Sequence, residues 1–379
     1  MRLREWLVAL SKRRAQSKKA TTDMVQLCIN SFKEAMPSRE ERFTMLSTLR
    51  SATEGKIFLE REYAQCTKEV VEMYEADGKI DEAAKIIQEI QIETYGSLEN
   101  KEKVEFILYQ MKLVLARQDY IRTQILSRKI SRRAISEKGL EQQKIQFFTF
   151  MVQYYVHEKE TLETAKCFQT IFDTVEKTED EETKAKLDPE GALRKNAFQN
   201  FVLYLLVSPY TNEKVDMLHI CEAMYPRQME AEELLAKYVR KFLTFELMPL
   251  QEDAITAQMG AFEPFQERTL HHKNHMIELI RQLVQHNLRV IEKYYSRVSL
   301  ARMSQLVGVS VERTENELGD MVVNGRIGAK INRLQGIVTF NKRKQYTNEK
   351  LNSWNSDLKT TLDKIEQTCH LIDREKVIH

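Results

Sequence analysis

The stretch SLARMSQLVGVSVERTENELGDMVVNGRIGAKINRLQGIVTF, from Ser299 to Phe340, decides the fold of the C-terminal part of this chain. Its first half predicts a helix from Ser299, a turn at Val307-Gly308-Val309 and a second helix from Ser310. In its second half, the apolar residues Ile327, Ala329 and Ile331 alternate along the chain, and IVTF follows the turn NRLQG. This pattern predicts a two-stranded β-hairpin. A helix-turn-helix followed by such a hairpin is a winged helix.

The second helix of this module has the wrong charge for binding DNA. In DNA-binding helix-turn-helix proteins this helix enters the major groove and contacts bases and phosphates. The segment SVERTENELGDMVVN instead carries four acidic residues against the single base Arg313, a local charge of −3; the acids are Glu312, Glu315, Glu317 and Asp320. Phosphates would be repelled by this helix. We therefore interpret the winged helix as a protein-binding module.

The composition indicates a mainly α-helical protein, because helix-breaking residues are few. The 379-residue chain contains 11 glycines and 6 prolines, whereas average usage would give about 27 and 19. Its formal net charge of +2 gives no overall attraction to nucleic acid or to an anionic membrane. No apolar run approaches about 18 residues, so no transmembrane helix is predicted. The five widely spaced cysteines are typical of a reduced protein of the cytoplasm or nucleus.

The first 180 residues repeat a pair of helices about every forty residues. One pair turns near Ala76-Asp77-Gly78, the next turns at Ala116–Asp119, and the similar segments AAKIIQEI and TAKCFQTI place Ala84 and Ala165 about two periods apart. Such a period predicts a right-handed, TPR-like helical solenoid over residues 1–180. Its expected apolar core positions include Ile87 and Ile90 in the first pair, and Ile121, Ile125 and Leu126 in the second. The first helix has no preceding cap, so we expect the chain to begin within the array, without some N-terminal repeats.

Three further regions follow the solenoid. Residues 181–265 contain most of the prolines and predict shorter connecting helices. Residues 266–345 predict a long helix from Gln266 to Tyr295 and then the winged helix. Residues 346–379 predict one C-terminal helix, whose apolar residues recur at spacings of three and four. This seam is typical of a coiled coil or bundle, and it consists of Leu351, Trp354, Leu358, Leu362, Ile365, Cys369 and Ile372.

Sequence motifs for catalysis and for cofactor binding are not found. The chain has no GxxxxGK[ST] phosphate loop, no GxGxxG after a strand and no GxSxG elbow. His271 and His275 are one helical turn apart, but no cysteine or carboxylate cluster completes a metal site, and we interpret HHKNH as a solvated polar face. The sequence therefore predicts a protein that is not an enzyme, with no catalytic, cofactor-binding or metal-binding residues.

Several long sequence segments resemble the PCI-domain family of proteasome lid subunits. These include ATEGKIFLERE at residues 52–62, MVVNGRIGAKINRLQGIVTF at residues 321–340 and the ending TCHLIDREKVIH. The resemblance implies a non-catalytic scaffold in the lid of the 19S regulatory particle of the 26S proteasome, located in the cytoplasm and nucleus. It also implies that the winged helices of several PCI subunits pack side by side. Their C-terminal helices would form one bundle with those of the metalloprotease-fold subunits, including the deubiquitinase, and the solenoid would reach the ATPase ring and the core particle.

We expect the hairpin to meet the winged helix of a neighbouring PCI subunit. The residues predicted at this PCI–PCI contact are Ile327, Ala329, Ile331, Ile337, Val338 and Phe340. Two alternatives stay open at this point. A PCI subunit of the signalosome would have the same architecture. A nucleic-acid-binding PCI protein would use the basic residues of the wing and of the segment after it, namely Arg326, Lys330, Arg333 and Lys342–Lys344.

Overall fold

The computed structural model describes residues 2–12, 17–35, 38–137, 139–178, 184–185, 187–189, 191–267, 269–341 and 346–378. The chain divides into two compact units. The first comprises Met1–Ser208 with Glu267–His272, and the second comprises Pro209–Gln266 with Lys273–His379. The predicted mainly helical fold with a winged helix is confirmed. No helix in the described ranges is both long enough and apolar enough to span a membrane.

The first unit consists of helices. They are α1 (Arg2–Lys12), α2 (Lys18–Ala35), α3 (Arg39–Thr53), α4 (Glu60–Ala76), α5 (Ile80–Gln88), α6 (Asn100–Ala116), α7 (Tyr120–Lys129), α8 (Arg132–Ile135), α9 (Glu141–Glu158), α10 (Thr161–Lys177) and α11 (Ala192–Val207). The predicted pairs correspond to α4 with α5, α6 with α7, and α9 with α10. Ala84 and Ala165 both have no exposed side-chain surface. The repeated alanine is therefore a core position where neighbouring helices pack closely.

The turns inside the three pairs share one backbone geometry. Gly78, Gln118 and Lys159 have φ values of 74°, 62° and 62° and lie 40 and 41 residues apart. In each turn the following amide donates to the carbonyl five residues earlier, as in Asp119 to Val114 at 3.1 Å. This left-handed residue with its long-range bond is a Schellman cap. The repeat is thus visible in the backbone as well as in the sequence.

The solenoid core differs from the prediction at α7. Leu126 is buried, but Ile121 is 76% exposed and Ile125 is 53% exposed. The buried face of α7 is instead completed by Thr123, whose hydroxyl donates to the Asp119 carbonyl. The apolar periodicity of this helix therefore marks its outer face as well as its core face, and the expectation for Ile121 and Ile125 was wrong.

The second unit contains shorter helices, one long helix, the winged helix and a terminal helix. Its elements are α12 (Asn212–Met224), α13 (Pro226–Ala231), α14 (Glu233–Leu243), α15 (Glu252–Met259), α16 (His272–Tyr294), β1 (Arg297–Ser299), α17 (Leu300–Val307), α18 (Val311–Val323), β2 (Ala329–Asn332), β3 (Ile337–Phe340) and α19 (Tyr346–Ile378). The long helix α16 starts six residues later than predicted. A 3₁₀ turn at Glu263–Phe265 and the left-handed backbone of His271 precede it and prevent an earlier start.

The winged helix has one strand more than predicted. β3 lies between β1 and β2 in an antiparallel sheet, with Thr339 opposite both Arg297 and Lys330. The predicted turn at Gly308 is confirmed, with φ of 85°. A Cβ at Gly308 would lie 3.4 Å from the Leu250 Cβ, which is an ordinary contact, so it is the backbone geometry that favours glycine. Ser299 and Ser310 cap the two helices of the motif through their hydroxyl oxygens.

Candidate functional site

The winged helix has its own apolar core, which includes part of the predicted PCI–PCI contact. Ile327 and Val338 are fully buried, and Phe340 is 6% exposed. These three side chains pack with Leu318, Met321 and other residues of α16, α17 and α18. They are therefore unavailable to a neighbouring subunit, and this part of the predicted contact set needs correction. Alternation along a strand located the apolar positions but did not distinguish the side facing the core from a side facing a partner.

The free edge of the hairpin is at β2 and not at β3, and β1 forms the other edge of the three-stranded sheet. Both sides of β3 are paired, whereas β2 pairs with β3 alone among the described strands. The Asn341 amide donates to the Gly328 carbonyl at 2.7 Å. Since inward and outward backbone groups alternate along an antiparallel strand, the amides and carbonyls of Ala329 and Ile331 point away from β3. The edge thus offers hydrogen-bonding groups to an added strand, and the half-buried Ala329, Ile331 and Ile337 remain candidates for side-chain contact.

The acidic side chains of α18 are held by arginines of the same unit. Arg281 on α16 lies 3.0 Å from the Glu317 carboxylate and 2.7 Å from that of Asp320. Burial lowers the pKa of Arg281, but the hydrogen bond and charge of Glu317 together with the charges of Glu278 and Asp320 outweigh it and leave this pKa raised. Arg333 of the wing lies 2.5 Å from Glu315. In a DNA-binding winged helix, the helix corresponding to α18 faces the phosphates. Here its acidic side chains form ion pairs within the unit.

Two of the basic residues of the nucleic-acid alternative are held by partners within the unit. Arg326 is half-buried and donates to the Gln285 side chain at 3.0 Å. Arg333 is bound to Glu315, whereas Lys330 is exposed. Lys342–Lys344 lie outside the described residues.

An extended segment between α14 and α15 is fixed to the long helix α16 by buried polar groups. The Asn287 side chain hydrogen-bonds both the amide and the carbonyl of Met248, each at 2.8 Å. The His286 Nε2 lies 3.1 Å from the Glu246 carbonyl oxygen. Burial, followed by the charge of Arg289, lowers the pKa of His286 to about 4, so this ring is neutral near pH 7. These contacts fix α16, which contributes to the core of the winged helix, against the segment between α14 and α15.

The C-terminal helix α19 exposes its entire predicted seam. Every side chain from Lys350 to Glu375 is exposed. The apolar ones are far more exposed than a core position allows, for example Trp354 at 68% and Leu358 at 63%. A continuous apolar stripe of this length on a soluble helix is typical of an interaction surface. The seven predicted bundle residues are thus on one accessible face.

The interpretation of HHKNH as a solvated polar face was wrong for His275. His275 is buried, and its Nδ1 lies 3.1 Å from the Pro264 carbonyl oxygen. The Nδ1 of His272 lies 3.2 Å from the Thr269 carbonyl oxygen. Within the described ranges, no three histidine, cysteine or acidic side chains are grouped as a metal site.

Comparison with protein families matches most of the chain. The family described as PSMD12/CSN4, N-terminal matches residues 1–180. The PCI domain matches residues 252–342, and the 26S proteasome regulatory subunit RPN5 C-terminal domain matches residues 348–379. The last two matches cover the winged helix and the exposed helix α19.

Individual proteins with similar sequences are named as subunits of the proteasome or of the signalosome. The 26S proteasome regulatory subunit RPN5 of Saccharomyces cerevisiae is 36% identical, over 100% of this chain and 82% of the relative. The 26S proteasome non-ATPase regulatory subunit 12 of Dictyostelium discoideum is 32% identical, over 99% and 80%. The COP9 signalosome complex subunit 4 of Caenorhabditis elegans is 24% identical over 35% of this chain and 32% of the relative.

Proposed function

The chain belongs to the family of 26S proteasome regulatory subunit RPN5 and non-ATPase regulatory subunit 12, and from this premise we propose that it is a non-catalytic scaffold of the lid of the 19S regulatory particle. In this role it supports ATP-dependent degradation of ubiquitinated proteins by joining other subunits. The proposal includes location in the cytoplasm and nucleus.

The observation that carries the proposal is the exposure of the whole α19 seam. Leu351, Leu358 and Leu362 are 52%, 63% and 63% exposed. Along the whole seam, spacings of three and four residues give a narrow stripe that fits between other helices. Burying such side chains is favourable by roughly 1.5–3 kcal/mol each. We infer a bundle with the terminal helices of other PCI subunits and of the metalloprotease-fold subunits, the deubiquitinase among them.

The winged helix supplies a second contact in this proposal. The outward backbone groups of Ala329 and Ile331 are free to pair with a strand of the next PCI subunit. Edge pairing gives orientation, because the hydrogen bonds of the ladder align the two strands along one direction. The solenoid of the first unit would then reach the ATPase ring and the core particle.

The proposed role of α19 is tested by native mass spectrometry of lids assembled with variant chains. Replacing Leu358 and Leu362 by Asp should abolish incorporation, as should deletion of residues 346–379. Thr360 and Gln367 lie on the opposite face of the helix and are also exposed, so Thr360→Asp with Gln367→Asp is the matched control and should incorporate normally. Full incorporation of the Leu358/Leu362 variant would exclude the seam as the assembly contact.

A signalosome subunit is the second candidate, because the N-terminal family model covers both PSMD12 and CSN4. Affinity purification of the full chain distinguishes the two. Proteasomal ATPases and lid subunits are expected. Recovery of cullin-deneddylating subunits without ATPases would replace the proteasome proposal by the signalosome one.

A further inference from the structure

Helix α7 of the solenoid presents an apolar and basic stripe on its outer face. Ile121, Ile125 and Arg128 are spaced by four and three residues, so they lie above one another on one side of the helix. All three are exposed, the isoleucines by 76% and 53%. On the opposite side, Thr123 and Leu126 are buried in the unit's core. The packing of α7 therefore fixes the direction in which this α7 stripe faces.

The charge around the α7 stripe is strongly positive. Residues 117–133 contain six basic residues and one acid, Asp119, a local charge of +5. Three of the bases are neutralised within the unit: Arg117 by Asp81 at 3.0 Å, Arg122 by Asp119 at 3.3 Å, and Lys129 by Glu93 at 2.6 Å. These pairs leave a smaller set of cations for any partner.

Among the side chains that the structure describes, Arg128 and Arg133 are the cations that remain beside the isoleucines. Both are exposed, and neither forms an ion pair with another residue in the part of the chain that the structure describes. Arg128 belongs to the α7 stripe itself, and Arg133 is on α8, which follows directly. Two adjacent apolar side chains bordered by uncompensated positive charge fit a partner of complementary pattern, with apolar anchors and carboxylates.

We propose that the α7 stripe docks an acidic, amphipathic helix of another polypeptide in the same assembly. Apolar side chains at positions i and i+4 of that helix would pack on Ile121 and Ile125, and its carboxylates would meet Arg128 and Arg133. The proposal rests on the assembly role proposed above. It adds a contact on the solenoid that is independent of the winged helix and of α19.

Two other occupants fit the same surface less well. A nucleic acid would be held by basic side chains together with stacking aromatic rings, and isoleucine side chains do not stack on bases. A membrane surface would need a long apolar face rich in Trp, Phe and Leu, whereas α7 has ten residues and presents two isoleucines. Both occupants are outcomes that the experiment can detect.

The test is site-specific photo-crosslinking of the whole chain in its native cells. The photoreactive amino acid p-benzoylphenylalanine replaces Ile125, and in a control chain it replaces Gln146, which is exposed on α9. After irradiation the tagged complex is purified and the linked peptide is sequenced by mass spectrometry. The expected product from position 125 is a net acidic peptide with apolar residues four apart, absent from the control at position 146.

A charge-reversal pair tests the electrostatic part. Arg128→Glu with Arg133→Glu should lower the crosslink yield about fivefold, since exposed ion pairs of modest strength become repulsive contacts. Lys101→Glu, a single charge reversal at an exposed site in the first turn of α6, should leave the yield unchanged. Equal thermal melting of all chains confirms that folding is unaffected. If Arg128→Glu/Arg133→Glu melts lower, Arg128→Gln with Arg133→Gln is used, with a smaller decrease expected.

The outcomes separate this inference from the proposed function. Proteasome subunits in the purified complex, together with a crosslink only to neutral or basic peptides, to nucleic acid or to lipid, would overturn the inference alone. The absence of any crosslink from an assembled chain would do the same. A chain that associates with no proteasome subunit removes the proposed function and this inference with it.

Discussion

The side-chain carboxamide of Asn287 hydrogen-bonds both the backbone amide and the backbone carbonyl of Met248. Its Oδ1 accepts from the Met248 amide and its Nδ2 donates to the Met248 carbonyl, each at 2.8 Å. Asn287 is fully buried and Met248 is 3% exposed. The side chain thus pairs with this segment as a neighbouring strand would, and it satisfies two buried backbone groups with one residue.

Asn287→Ala should destabilise the second unit by about 2–5 kcal/mol, because two buried backbone groups of Met248 lose their partners. Hydrogen exchange at the Met248 amide measures this directly, and it should become at least tenfold faster. Asn352→Ala is the matched control, since Asn352 is exposed on α19. Unchanged exchange at Met248 in Asn287→Ala would contradict the role given to the carboxamide.

His286 should make stability depend on pH. Burial and then the charge of Arg289 lower its pKa to about 4 in the folded chain, against about 6.5 unfolded. Because the unfolded state takes up the proton first as pH falls, this contribution is complete above about pH 6.5 and is lost as pH falls toward 4.

Between pH 7 and pH 5 the loss due to His286 should be about 2 kcal/mol. His286→Gln provides the comparison, since its amide can still donate to the Glu246 carbonyl but does not titrate. Urea unfolding of both chains at the two pH values gives the difference. A pH dependence that is the same in His286→Gln as in the parent chain would show that this ring does not cause it.

The helical repeat could be predicted from the sequence, but the outer face of α7 could not. Ala84 and Ala165 identified the period because small buried residues recur where helices pack. The prediction from apolar spacing was wrong for Ile121 and Ile125, because the spacing on a short helix does not show which face meets the core. A surface used by a partner has the same residue types as a core.

The left-handed turns of the repeats lead to a stability prediction. Lys159 has φ of 62°, a geometry that costs a residue with a side chain about 1 kcal/mol, so Lys159→Gly should stabilise the first unit by about that amount. Gly78→Gln should destabilise it by a similar amount. No atom lies within 4 Å of a Cβ at Gly78, so the cost there is conformational alone.

Gly96→Ala is the control for these turns, because Gly96 has an ordinary φ and equally open surroundings. It should be neutral or slightly stabilising, since alanine restricts the unfolded chain. Thermal unfolding of the full chain provides the measurement, together with hydrogen exchange in α9 and α10 for Lys159→Gly and in α4 and α5 for Gly78→Gln. A destabilised Lys159→Gly would contradict the shared turn geometry.

The winged helix shows what sequence reasoning can and cannot give at an interface. The pattern located its helices, its turn at Gly308 and its hairpin. It missed β1, because Arg297–Ser299 is too short to alternate visibly, and with it the central position of β3. Ile327, Val338 and Phe340 were therefore expected at a contact although they form the core. Only pairing across the sheet reveals which strand of the hairpin keeps a free edge.

The free edge of β2 gives the last prediction, which concerns assembly rather than folding. Ala329→Pro removes one outward amide at the first residue of the strand, a position where proline is tolerated. The hairpin bonds of Lys330 to β3 should remain, so melting should change little, while incorporation into the lid should fall several-fold.

Ala329→Val keeps the amide and adds side-chain volume, and it should incorporate like the parent chain. Native mass spectrometry of the assembled lid compares the two variants. Equal incorporation of Ala329→Pro and Ala329→Val would mean that neighbouring winged helices meet through side chains and not through the backbone of β2.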